Sequence, residues 1–507
     1  MKVVHTPTFP FLNTMALSLS PLSPALIAQI LDEAFALLVD PGVRIHNQDG
    51  LSLLAESGAQ VDFERQIARI PEKIVRQALY KTPSDFWLYD LTGQPVVHYG
   101  GDRVHFDPGS SGVTILADEQ GRQRPPTTAD FVRFVKLVET LPPLDAQSTA
   151  FVCRDVAEGI GDLYRLYLAL NFMQKPIITG AFTVPGWWAM YEMLIAVAGG
   201  EAQLAARPLA VFDVCPSPPL LWSDLTCQNL IDCARRGVPA ELISMPLAGM
   251  TCPVTLASAV VQHTAESLSG VTIAQLAKPG APVVWGGAPA ASDMRTGATP
   301  MGDVNTWLID YAYVQIGKSL DLPTHTYMGS SDAKVLDIQA GLESMGGTLL
   351  AALAGINMIS GAGMIDYLRC QSFEKLVIDA EMIGMAKRLV RGVEAHEDPI
   401  AVDKMRLSAH RADFLGKPHT LKWFQKELYI PSETIDRSSL EAWQKKGSAD
   451  RQSPETAYQR ASQRVEKLLA SYQPNGLPQD VRAELRRITE REAQKYGMTD
   501  LPHFEGN

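Results

Sequence analysis

Asp107, Asp213 and His325 stand at the ends of short apolar runs and have the side chains needed to bind charge or move protons. The same run ends carry aromatics: Phe106, Phe151, Phe182, Phe212, Trp285 and Tyr327. Aromatic faces beside a carboxylate make a cage for a quaternary ammonium, with about 0.5–2 kcal/mol of cation–π attraction per contact. Equally, rings on alternate strand residues can simply fill a barrel interior. No lysine occupies a run end, which weighs against a Schiff-base aldolase. Used for proton transfer, Asp107, Asp213 and His325 would instead suit a lyase or hydrolase.

Other residues offer weaker signals. The glycine pairs Gly109/Gly112, Gly286/Gly287 and Gly361/Gly363 lack P-loop or dinucleotide spacing. They would cradle phosphate on backbone amides or let a flat ligand approach the chain. Cys153, Cys215 and Cys252 lie near run ends, but His325 is the only histidine beside them, so no tightly bound metal is expected. Glu343 lies four residues after Gln339 on one helix face. It is a carboxylate near the site if that face turns to the barrel top, and a structural or solvated Glu otherwise.

The elements that must hold these residues follow a rhythm. Eight apolar runs recur: Val104–Asp107, Gln147–Cys153, Pro176–Thr183, Pro208–Val214, Ala240–Pro246, Pro282–Gly287, Pro323–Met328 and Gly355–Gly361. Helical periodicity follows each, over Ala129–Leu141, Ile160–Met173, Trp187–Ala198, Leu225–Arg236, Ala257–Leu268, Val304–Lys318, Asp337–Leu353 and Phe373–Val393. Strands alternating with helices pair in parallel. The expected fold class is therefore α/β, a (β/α)8 TIM barrel over 101–394 with its chemistry at the C-terminal strand ends.

Residues 1–100 are expected to form an N-terminal arm (1–22) and a helical cap, with helices at Ser23–Leu38, Asn47–Glu56 and Pro71–Ala78. Short strands are expected at Val61–Phe63 and Phe86–Tyr89. Residues 395–507 read as a charged C-terminal helical extension with helices at Glu455–Ser471 and Pro478–Tyr496. That extension either wraps the barrel or makes a homo-oligomer or partner contact. The chain of 507 residues has a formal net charge of -11, which argues against a nucleic-acid binder. No apolar run approaches the ~20 residues of a membrane span, and the first residues do not read as a signal peptide. A cytoplasmic location is the expectation.

Several segments together resemble the trimethylamine methyltransferase family. They are Gly329–Glu343 (GSSDAKVLDIQAGLE), Phe106–Gly112 (FDPGSSG), Gly249–Thr255 (GMTCPVT), Ser360–Gly363 (SGAG), and in the tail Leu428–Pro431 and Arg460–Tyr472. The resemblance covers nearly the whole chain. It implies a barrel that moves a methyl group from an amine to the cobalt of a cobamide carried by a separate corrinoid protein, which docks over the barrel mouth. The archetypal members carry pyrrolysine near the seventh strand. This chain is written in the twenty common residues, and so resembles the pyrrolysine-free branch acting on quaternary amines such as glycine betaine. On that basis Phe106, Phe212, Trp285 and Tyr327 would enclose the trimethylammonium head, and Asp107 or Asp213 would offset its charge. His325 or Arg295 would hold a substrate carboxylate, with Glu343 also near the substrate. Gly286, Gly287, Ser331 and Gly361 would admit the corrin ring. A barrel of the same shape that binds a betaine without chemistry is the non-enzymatic alternative.

Overall fold

Each apolar run becomes a strand: β1 His105–Pro108, β2 Gln147–Ser148, β3 Ile177–Thr179, β4 Ala210–Val214, β5 Ala240–Ser244, β6 Val283–Gly287, β7 His325–Thr326 and β8 Met358–Ala362. The computed structural model describes residues 21–109, 111–398, 400–408, 410–411, 413–446 and 455–504. All strand pairs among the eight are parallel. Strands β2 to β6 form one sheet in chain order, and β7, β8 and β1 form a second. The seams are thin. Trp285 bridges to Thr324 at one, and the Asp145 amide donates to the Phe106 carbonyl (2.7 Å) at the other. The α/β class and strand order match expectation, whereas a single continuous eight-strand ladder is not formed. Strands β2 and β7 are only two residues long.

Eight long helices alternate with the strands: α1 Thr128–Glu139, α2 Gly161–Phe172, α3 Val184–Ala198, α4 Asp224–Arg236, α5 Leu256–Ala277, α6 Val304–Ser319, α7 Ile338–Leu353 and α8 Phe373–Arg391. Their starts are locally encoded. Thr127 and Asp130 form a reciprocal capping box at α1, and Asp337 accepts from two first-turn amides of α7. Helix α5 runs nine residues past its expected end at Leu268. It is buried on nearly every side, so the amphipathic stripe that marks a surface helix is missing.

The helices Pro24–Val39 and Glu72–Lys81 pack on α5. Val43–Ile45, Gln60–Asp62, Ile67–Arg69 and Leu221–Trp222 make a small sheet, of which only the second strand was expected. Residues 1–20 of the expected arm lie outside the described residues. Leu22 is no loose arm: it is buried, and its amide and carbonyl both bond the Gln315 side chain. The hairpin Phe86–Tyr89/Pro95–Tyr99 closes the N-terminal end of the strands. Its Leu88, Val97 and Tyr99 form one cluster with Ala146, Ile178, Val211, Val284 and Met358. In the tail, Ala457–Ser471 packs on α8, and Gln479–Lys495 on α2 and α3.

Candidate active site

Side chains two residues apart on a strand share a face. From the apolar floor, that step leads from Val211 to Asp213, from Met358 to Ser360 and from Val284 to Gly286. These positions meet in one buried polar layer. The Ser360 hydroxyl donates to both Asp107 carboxylate oxygens (2.8 and 2.9 Å). His325 Nε2 lies 3.1 Å from the same hydroxyl. His325 Nδ1 is in close contact with Glu241 Oε1, both fully buried, and Glu241 lies opposite Asp213 on the neighbouring strand. The chain Asp107–Ser360–His325–Glu241–Asp213 thus links β1, β8, β7, β5 and β4. Asp213 is its half-buried member.

Desolvation sets the charge of this layer. Burial pushes Glu241 up to about 8, with neighbouring Asp213 opposing the rise. Burial likewise lifts Asp107 well above the carboxylate range and drives His325 down to about 3. At neutral pH burial therefore favours a protonated Glu241 and a neutral His325, so the two meet as uncharged groups.

Above the polar layer the wall turns apolar, with Cys215, Ile243, Met245, Ala288, Tyr327 and Leu368 in one cluster. The Tyr327 ring stands edge-on to His325, 4.7 Å between centroids. Leu368 reaches the mouth from the run Asp366–Leu368, where three successive non-glycine residues hold φ of 54°, 57° and 63°. That conformation costs roughly 1–2 kcal/mol per residue.

His325, Asp107, Asp213 and Tyr327 are therefore brought together. Other expected site residues are not. Phe106, Phe212 and Trp285 neighbour the inward Asp107, Asp213 and Gly286, so strand alternation turns them outward. Lys387 of α8 sits over the Phe106 ring (5.6 Å). Phe212 packs on Trp187 of α3 (5.9 Å). Trp285 Nε1 donates to the Tyr313 carbonyl of α6 (3.0 Å). Phe151 likewise faces Phe131 and Phe134. Arg295 is exposed and pairs with Asp293 of its own loop.

Glu343 acts on the chain rather than toward a ligand. It accepts from the Ser331 hydroxyl (2.6 Å), the Asp332 amide (2.7 Å) and Gln339 Nε2 (2.8 Å). Asp332 then accepts the Met301 and Gly302 amides (2.9 and 2.8 Å). Ser331 is thus part of a loop clamp. The three glycines make room for the protein's own atoms. A Cβ at Gly286 would sit 2.4 Å from Glu241 Oε1, at Gly287 2.5 Å from His263 Nε2, and at Gly361 (φ +114°) 2.7 Å from the Ser330 amide. Among the described residues no group of three His, Cys, Asp or Glu side chains could hold a metal. Burial raises the thiols of Cys153, Cys215 and Cys252.

The trimethylamine methyltransferase (MTTB) family model matches residues 2–497. The chain belongs to this family. A trimethylamine methyltransferase of Methanosarcina thermophila is 33% identical over 82% of this chain and 86% of that one. One from Desulfitobacterium hafniense (strain DSM 10664 / DCB-2) is 29% identical over 90% of each. A glycine betaine methyltransferase of D. hafniense (strain Y51) is 27% identical over 93% of this chain and 96% of that one. Among solved structures, the Methanosarcina barkeri monomethylamine methyltransferase aligns with TM-score 0.52 and 13% identity, covering 88% of this chain and 86% of that one. That likeness concerns the fold alone.

Sequence reasoning did not single out Glu241, which the fold brings against His325, or the fully buried Arg165. Glu241 lies in a strand of ordinary apolar pattern, and Arg165 lies within α2. A charged residue inside an apolar strand was the available signal for Glu241. Nothing in the spacing marks Arg165. Around the mouth, Met250, Val254, Met294, Ile338 and Leu342 are exposed on the loops after β5 and β6 and on the first turns of α7.

Proposed function

We propose that this methyltransferase takes a methyl group from a quaternary amine, glycine betaine or a similar betaine, and delivers it to the Co(I) cobamide of a partner corrinoid protein. The observation that carries the reading is the half-buried Asp213, set under an apolar ring that includes Tyr327. A carboxyl group beside an apolar wall that carries one aromatic ring suits a cation that makes no hydrogen bonds. A cobamide presented at the mouth would supply the electron pair for the new bond, with the amine leaving on its own C–N pair. A quaternary ammonium leaves as a neutral amine, so no proton need move. The chain's residues then align the methyl group and exclude water. The exposed apolar rim of the mouth, Met250, Val254, Met294, Ile338 and Leu342, suits a cofactor brought by a docking partner.

With this reading goes the architecture of a (β/α)8 barrel over 101–394, capped by 1–100 and extended by 395–507, working in the cytoplasm. Among the described residues no helix is long and apolar enough to cross a membrane.

The buried Ser360–His325–Glu241 order favours a second reading, because it has the connectivity of a hydrolytic triad. Two features oppose it. Ser360 directs its proton to Asp107, and His325 has its basicity removed by burial. The deciding test is methylation of a reconstituted Co(I) corrinoid protein, followed by absorbance, with quaternary amines and trimethylamine as donors. Transfer from a quaternary amine supports the proposal. No transfer from any amine, with a corrinoid protein competent toward another methyltransferase, overturns it. Ester hydrolysis without the partner would favour the triad.

A further inference from the structure

Arg165 is fully buried, yet among the described residues only one of its nitrogens is hydrogen-bonded. Nη1 donates to the Thr149 carbonyl (2.8 Å), just past β2, and to the Ser111 hydroxyl (3.3 Å), past β1. Nε and Nη2 have no hydrogen-bond partner among the described residues. No carboxylate forms an ion pair with this guanidinium among them, although Asp162 and Asp213 lie near enough to act on its charge. Leaving a buried cation so exposed to desolvation is costly, and such groups normally meet an anion.

The surroundings place Arg165 near Asp213, at the C-terminal ends of the strands. It reaches the C-terminal ends of β1 and β2, and the Phe182 ring past β3 covers it at 4.6 Å. Two residues before Phe182, Gly180 faces Asp213, with 3.5 Å from its would-be Cβ to the Asp213 side chain. Acid and base therefore flank the same short segment, Gly180–Phe182. Ser111 is held at φ 64°, a left-handed backbone unusual for serine, with its hydroxyl on Arg165. Phe182 is 42% exposed, so this ring is what stands between Arg165 and solvent on that side.

We propose that Arg165 binds the carboxylate of the methyl donor through Nε and Nη2, and that the site thereby selects zwitterionic betaines over amines lacking an acid group. This rests on the methyl-transfer reading and gives the betaine carboxylate a receptor that neither His325 nor Arg295 supplies. A guanidinium edge offers two parallel N–H donors, the geometry a carboxylate accepts.

The test is calorimetric binding by the full-length protein alone, using glycine betaine, its methyl ester, choline and trimethylamine. The expected result is glycine betaine binding about tenfold or more tighter than its ester or choline. Arg165→Gln should remove that preference and leave choline binding within about twofold, and Arg165→Lys should restore part of it. Equal binding of betaine and ester by the wild type overturns the assignment, as does absence of betaine binding. If Arg165→Gln weakens choline as much as betaine, the residue is structural and the assignment also falls. Should that variant fail to fold, the wild-type acid-against-ester comparison decides. Arg165-dependent betaine binding without methyl transfer from any donor would retain the receptor and remove the methyl-transfer reading. Transfer from carboxylate-free amines by a protein that does not bind betaine would do the reverse.

Discussion

Glu241 and His325 are each driven toward the neutral form by burial, and this sets the pH behaviour of the site. Folded Glu241 keeps its proton to about 8, against an ordinary value of 4.5. Its contribution to stability is therefore full below 4.5 and lost as the pH climbs to about 8. His325, lowered from 6.5 to about 3, behaves oppositely: its contribution is full above 6.5 and lost as the pH falls toward 3. Glu241→Gln should lose less thermal stability than the wild type between pH 6 and pH 8.5, as read by melting curves. Ionisation of Glu241 also adds negative charge beneath the mouth. KM for a quaternary donor should drop roughly threefold to tenfold from pH 7 to 9 in the wild type and stay flat in Glu241→Gln. A second contrast separates wall from core. Trp285→Ala removes a fully buried indole bonded to α6 and should cost about 3–5 kcal/mol of stability. Tyr327→Ala should leave the melting temperature nearer the wild type and lower kcat/KM by about twofold to thirtyfold, the range of one cation–π contact. The outward turn of Trp285 reverses the expectation that it cages the substrate. Composition at strand ends reveals that rings are present, but the parity of each residue on its strand decides which side they face.

At the scale of elements, the loop after β7 is held by a side-chain clamp from the helix that follows it. Glu343 ties Ser331 and Asp332, and Asp332 ties Met301 and Gly302 beside the mouth. Glu343→Ala should speed amide hydrogen exchange at 329–333 and at 301–302 and reduce kcat/KM about tenfold, each charge-assisted bond being worth about 1.5–3 kcal/mol. Unchanged exchange in the variant would show that the loop is held by its backbone alone. The strands and helices themselves were readable because their signals are local: the helices capped by Ser23, Thr127 and Asp337 start within a residue or two of where expected. The small N-terminal sheet was not. Its strands are two or three residues long, and one comes from Leu221–Trp222, far away in the chain.

At the scale of the molecule, the tail is bound to the helices rather than hanging free. The Tyr472 hydroxyl donates to the Phe172 carbonyl (2.7 Å), Arg482 reaches Asn171 (3.1 Å), and Arg491 pairs with Glu192 (2.8 Å). Leu485, Ile488, Ala493 and Phe504 are buried in the common core. Removing residues 473–507 should cost roughly 5 kcal/mol or more of stability, at about 1.5–3 kcal/mol per large buried side chain. The check is a fall in soluble yield and melting temperature. A truncated chain as stable as the whole would mean that the tail packs without contributing.

The sequence alone determined the α/β class, the order of eight strands and their helices, and the family, and it singled out Asp107, Asp213, His325 and Tyr327, which the fold brings together. Periodicity, capping and segment identity are carried by neighbours along the chain, so they survive reading in one dimension. Tertiary structure decided what depends on which strand lies beside which. It joined Glu241 to His325 and Ser360 to Asp107 across strands distant in sequence. It filled Gly286, Gly287 and Gly361 with the protein's own atoms. It also withdrew Arg165 from water between the ends of β1, β2 and β3. Burial, proton affinity and the free side of a guanidinium exist only once those distant segments have closed around the group.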